Sequence, residues 1–411
     1  ALTVIAVAGV VIVQNLPPRP WFPPTLLEST PSVSASAPKP PDSESEIEPA
    51  VLSRLVLAKS GKAGSTTVML SRAVAPRDLG MQSGECEDIL FRELVRQAVL
   101  LAARDERGLA TRDELLDDSP FDAPKDAVGL MIATPELCDR PQMELRPVGG
   151  DALPPLLHEK LEIEKDDWNP QDEYLIGMLS RRVSLLEKLT RTKIPDVLDG
   201  LGVKGRPNLY NAEAKVPPGV EEKLETLGLV DHFEAIRELH EAIRANGESP
   251  ARLGALTRAY AQLAGLTAHL WSPAHLAFEA RAWLYAERMT ARDPESSWAL
   301  RHRAFVGAVN GIHAAALRDL ETAAAIDAKS PNAAPAPGWV DLIDAAMKYD
   351  IKRLDAVTAP YDRLAAFLKM TDVEFPASTR LIVHAAEDVV KRDPDCGRAF
   401  DVICGNGDIG D

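Results

Sequence analysis

The chain is short of aromatic residues, of cysteine and of positive charge. Phe, Trp and Tyr make up 5% of its 411 residues, so large rings cannot be the main filling of a core. Helices packed closely through Ala and Leu fit this composition. The four cysteines, Cys86, Cys138, Cys396 and Cys404, form no CxxC pair and no zinc spacing. They read either as four small buried thiols or as two thiols plus one Cys86–Cys138 disulfide in an oxidising compartment. A Cys396–Cys404 bridge along one helix is excluded, because eight helical residues span roughly 12 Å. Lys and Arg number 46 against 62 Asp and Glu, a formal net charge of −16. General nucleic-acid binding needs cations in excess to neutralise phosphates, so nucleic acid is not an expected partner.

Catalytic and metal-binding patterns are missing as well. The eight histidines include no HExxH and no HxH. No GxSxG follows a predicted strand, and no activated Cys–His pair can be argued. Residues Gly200 to Gly205 fit GxGxxG in letters but follow no strand, so they read as a helix end and turn. Gly61 to Thr66 lacks the GxxxxGK order of a phosphate loop and reads as a turn before a strand. His232 and His240 read as points on an exposed helical face, and His302 and His313 as packing or surface positions. The acidic pairs Asp117-Asp118 and Asp166-Asp167 read as solvated loops. The expectation is a protein that is not an enzyme, with no cofactor and no metal.

What is present begins with an apolar run, Ala1 to Val13. It is shorter than the about 20 residues that cross a bilayer. Because the sequence opens on Ala, the expectation is that further residues precede it, completing a signal core or an uncleaved anchor, with the anchor preferred. Residues 14–50 are rich in Pro and Ser and end in Glu44, Glu46 and Glu48. Such a composition cannot bury a core and predicts an extended spacer. Residues 51–150 predict a small α+β region, with strands at Thr66–Leu70, Ala127–Ile132 and Met143–Val148. Its one clear helix, Cys86–Arg107, carries Leu90, Leu94, Val95, Ala98, Leu101 and Ala102 on one face. Residues 151–230 predict a helical connector. Its main helix, Asp172–Thr192, is flanked downstream by short helices at Asp196–Lys204 and Gly219–Leu229.

From Asp231 to Asp411 a longer period takes over. Ser297–Pro331 reads as two helices around an Asn310-Gly311 turn, with Leu300, Ala304 and Ala308 on the first and Ala316, Leu320, Ala323 and Ile326 on the second. Ala304, Gly311, Ala316, Leu320 and Ala323 stand where a tetratricopeptide repeat has its small and bulky signature residues, and this stretch resembles that family. Ala282, Ala286 and Met289 repeat the second-helix signature 34 residues before Ala316, which is the family's period. Ala235, Leu239 and Ala242 carry it further upstream, past an expected insertion around Gly265–Ala274. Ile382, Ala386 and Val389 recover it downstream. Gly397–Ile403 predicts a first helix without a partner, which would leave an apolar face bare and implies either that the natural chain continues or that the tail is disordered.

The resemblance implies a mainly α fold ending in an α-solenoid of antiparallel helix pairs. It also implies a partner surface. In the family, ligand-contacting residues line the concave side of the first helices, and the matching positions here are Arg258, Trp298, Arg301 and Phe305. That patch would take a peptide carboxylate and an apolar side chain. The alternative is that Trp298 caps a neighbouring repeat and both arginines pair with local acids. The leading functional expectation is a membrane-tethered or exported scaffold that binds a protein or peptide in the cell envelope. Alternatives are an accessory subunit whose residues 51–150 catalyse or sense, and a structural component that self-associates through its repeats.

Overall fold

The computed structural model describes residues 50–59, 66–70, 86–113, 128–134, 142–147, 155–161, 174–203, 205–270, 274–330, 334–371 and 379–406. The apolar run 1–13, the Pro/Ser segment up to residue 49, the Gly61 turn, Cys138, the Cys86 side chain and both acidic pairs lie outside the described residues. The Cys86–Cys138 reading therefore lies outside them too. Cys396 and Cys404 are free thiols, the first buried and the second exposed. Among the described residues, no helix is long and apolar enough to cross a membrane.

Residues Ile47–Asp411 form one compact, mainly helical unit. Its N-terminal part holds a six-stranded sheet: β1 (Ala50–Lys59), β2 (Thr66–Leu70), β3 (Ala110–Asp113), β4 (Val128–Thr134), β5 (Gln142–Pro147) and β6 (Leu157–Lys160), in the order β3-β2-β1-β4-β5-β6. Every neighbouring pair is antiparallel except β2 and β3, which run parallel with Val68 opposite Thr111. A parallel pair needs a crossover, and α1 (Cys86–Leu101) lies on it. β6 falls beyond residue 150 and completes the sheet through Leu145 opposite Leu157.

Helix α1 is buried on both sides from Phe91 onward. The sheet covers one side, and α2 (Tyr174–Arg191) and α7 (Ala274–Arg292) cover the other. A π-turn, Ala102–Glu106, continues α1. Then come α3 (Lys193–Gly200), α4 (Val220–Leu224), α5 (Leu229–Asn246) and α6 (Pro250–Thr267). The chain continues through α8 (Ser297–Val309), α9 (His313–Lys329), α10 (Gly338–Met347) and α11 (Ile351–Asp355). It ends with α12 (Asp362–Thr371), α13 (Thr379–Arg392) and α14 (Gly397–Asn406). The GxGxxG stretch closes α3 in a turn, with Gly202 at a φ of +78°.

Helix α6 is the centre. Ser249 caps it by accepting from the Arg252 N–H, and Pro250 sits in its first turn, where no N–H is missed. Fifteen of its eighteen residues are buried. Gly254, Ala255, Ala259, Ala261 and Ala264 let neighbours approach from every side, so an amphipathic stripe is not what the position demands. Helices α5, α7, α8 and α14 all pack on it. The contact with α14 covers part of the face expected to be bare: Ala399 is fully buried and Val402 nearly so, while Phe400 stays 45% exposed.

Candidate functional site

The four expected partner-binding residues do come together, but in a closed seam. Phe305 has no exposed surface and meets the Trp339 ring edge-on at 5.4 Å. Arg258 lies over the same Trp339 ring, 5.7 Å from its centroid, and donates to both Glu221 carboxylate oxygens at 2.7 and 2.8 Å. Arg301 is buried and pairs with Asp327 of α9. The half-buried Trp298 donates its indole N–H to the Pro250 carbonyl at 3.0 Å, and so ties α8 to the start of α6. The open patch is therefore corrected to interhelical packing. The arginines pair with local acids, Arg258 with Glu221 and Arg301 with Asp327.

His302 fills the middle of this seam. It is fully buried between Trp298 and Trp339, at ring distances of 4.5 and 5.0 Å, and donates through Nδ1 to the Trp298 carbonyl. Burial, with help from the Arg258 charge, pushes its pKa down to about 3. His232 and His240 are buried too, which corrects their reading as surface points. His232 bridges the Gly228 carbonyl and the Gln262 side chain, and His240 pairs with the Tyr260 hydroxyl at 2.9 Å. Burial lowers the pKa of both.

A second cluster joins the sheet side of the molecule to the helices. Arg104, Asp105 and Glu106 are consecutive, and a regular α-helix would spread them over about 200°. The π-turn, a feature frequent at functional positions, turns all three toward α7. Arg104 donates to the Tyr285 hydroxyl, which itself donates to Asp105 at 2.9 Å. Arg288 reaches Glu248 at 2.8 Å, Glu106 at 3.1 Å, Asp105 at 3.5 Å and Glu187 at 3.6 Å. Two helical turns from Arg288, Arg281 donates to Gln97 and Asp113 at 2.8 Å each. Burial works against the Arg288 charge, but the carboxylates around it prevail and hold it firmly protonated. Burial raises the Glu93 and Glu106 carboxyls. With cations matched to acids on both sides, this cluster is a clamp between elements.

The repeat signature on α7 rests on Ala282, Ala286 and Met289 alone and so does not reveal this cluster. A signal was there. Arg281, Tyr285, Arg288 and Arg292 recur at four-, three- and four-residue steps on one helical face.

An open groove of about 290 Å³ lies among α11, α12 and α13. Ile351, Leu354, Val357, Ala366, Ile382 and Ala385 make its apolar part. Its rim is charged: Lys369 donates to Asp355 at 2.9 Å, Arg392 pairs with Asp362, and His384 and Asp388 stand along α13. The hollow exists because Ala366 and Ala385 face it with single methyl groups. Among the described residues, no group of three or more His, Cys, Asp or Glu has the arrangement of a metal site. Comparison with models of known protein families, with curated proteins and with solved structures returns no match.

Proposed function

We propose that the chain is a non-enzymatic helical scaffold that holds a protein or peptide partner, tethered to the cell envelope through its N-terminal apolar run. Stacked hairpins of the tetratricopeptide type are the frame of this reading. Its support is the serial packing of α6 with α7 and α8 with α9, with α6, α8 and α10 touching in turn as successive first helices. The observation that carries it is the groove among α11, α12 and α13, which is lined by six aliphatic and six ionisable side chains, a mixture that can take a peptide with both kinds of side chain. The test is affinity capture with the full chain, followed by calorimetry with the purified partner. One stoichiometric partner whose binding is lost in Ala385→Phe supports the scaffold. A chain that only self-associates, with no partner retained, overturns it in favour of a structural component.

A second reading is an accessory subunit in which residues 51–150 sense or act while the helices recruit. The buried clamp favours it, because Asp105, Glu106 and Asp113 tie the sheet side rigidly to α7. An activity abolished by changes within residues 51–150, yet insensitive to Ala385→Phe, would establish it.

A further inference from the structure

The groove among α11, α12 and α13 has a polarity along its length. Asp362 and Lys369 lie seven residues apart on one face of α12, which places them roughly 10 Å apart along the helix. Each marks one end, and each end carries an ion pair. At the Lys369 end the carboxylate protrudes: the Asp355 side chain is 57% exposed over a Lys369 that is 20% exposed. At the Asp362 end the order reverses, with the Arg392 side chain 47% exposed over an Asp362 that is 25% exposed. Between them the wall is Leu354, Ala366, Ile382 and Ala385. Asp388, on the rim, already accepts the Lys391 ammonium at 2.9 Å and stands 3.9 Å from His384.

We infer that this groove takes an extended peptide segment with an aliphatic middle, a basic side chain at the Asp355 end and a carboxylate at the Arg392 end. The inference rests on the scaffold reading and specifies what that scaffold holds. Side chains alternate faces along an extended chain, so two end side chains flanking a central one on the same face lie four steps of about 3.3 Å apart, enough to span 10 Å. A carboxylate has acceptor sites left after one Lys bond, and a guanidinium has donors left after one carboxylate bond. Asp355 and Arg392 can therefore each accept a second partner without giving up the first. Such pairs orient a ligand and exclude like-charged competitors more than they add raw affinity.

The experiment titrates the full chain into fluorescein-labelled peptides with blocked ends and Gly/Ser flanks, read by anisotropy. The four probes carry Lys-Thr-Leu-Thr-Glu, Lys-Thr-Leu-Thr-Lys, Glu-Thr-Leu-Thr-Glu and Gln-Thr-Leu-Thr-Gln, so that the two end side chains and the Leu share one face of the extended chain. The mixed-charge probe is expected to bind at least about tenfold tighter than the other three, and the preference is expected to shrink at high salt. Ala385→Phe fills the groove and is expected to abolish binding. Asp355→Asn, an isosteric change at a side chain that is 57% exposed, is expected to remove the advantage over Glu-Thr-Leu-Thr-Glu. Equal binding of all four probes, or undiminished binding to both variants, overturns the inference. A concentration-dependent dimer that Ala385→Phe dissolves assigns the groove to a second copy and overturns it too. If no probe binds while a captured partner is still held, this inference falls and the scaffold reading stands; if neither binds, both fall.

Discussion

Arg288 and Glu248 meet at 2.8 Å with both side chains 2% exposed. Three more carboxylates crowd the same guanidinium. Replacing Arg288 by Met would leave the buried Glu248, Asp105 and Glu187 and the partly buried Glu106 without their shared cation. Breaking a buried pair from one side costs about 3–5 kcal/mol. Urea unfolding of Arg288→Met is expected to show a loss of that size. A loss under about 1 kcal/mol would mean that the clamp is not a stabilising element.

Gly254 lies against His302. A Cβ at Gly254 would come within 2.5 Å of the His302 Nε2. The ring cannot move aside, since Trp298 and Trp339 flank it. Gly254→Ala is expected to cost about 1–3 kcal/mol through overpacking, and the cost is expected to fall in a His302→Ala background. A thermal melt of the two single variants and the double variant checks the coupling.

Phe305→Ala is expected to destabilise the fold by about 3–5 kcal/mol, because a fully buried ring leaves a cavity. Partner affinity per folded molecule is expected to stay unchanged. A variant as stable as the parent but impaired in binding would restore Phe305 to a partner surface.

Stability is expected to depend on pH through two opposed groups. His302 has a folded pKa of about 3 against an ordinary 6.5, so the native state refuses a proton that the unfolded state accepts. Its contribution is full above about pH 6.5 and is lost as pH falls toward 3. His232 and His240, also lowered, act with the same sign. Glu279 runs the other way, because burial raises its carboxyl to about 7 from 4.5. Its contribution is full below about pH 4.5 and is lost as pH rises through 7. Glu279→Gln is therefore expected to stabilise the protein at pH 8 and to change little at pH 4. Denaturation midpoints across pH 4–8 give the answer, and a variant that tracks the parent at every pH refutes it.

Local periodicity made the helices legible. The expected helices Cys86–Arg107, Asp172–Thr192 and the pair within Ser297–Pro331 correspond to α1 with its π-turn, α2, and α8 with α9. Each carries an apolar face at three- and four-residue steps. Three strands escaped for physical reasons. β1 has a bulge between Val51 and Ser53, which breaks the alternation that marks a strand. β3 and β6 are four residues long, and their extended state is set by distant partners. The expected partner patch failed for another reason. Position within a repeat marks which face a residue occupies, but Glu221 and Trp339, which cover that face, come from outside the hairpin. The groove depends on how α11, α12 and α13 are placed relative to one another, and no single stretch encodes that.

The tail of the chain returns to its middle. Phe367 of α12 stands where a Cβ on Gly265 would meet it at 2.6 Å, and α14 lies along α6. Open arrays of hairpins lengthen by duplication, since a new unit needs only a neighbour on each side. Here an inserted unit would push α12 and α14 off the seats that α6 provides. A unit gained or lost between Pro250 and Asn406 is therefore expected to cost the packing at both of these contacts, as it would not in an open array.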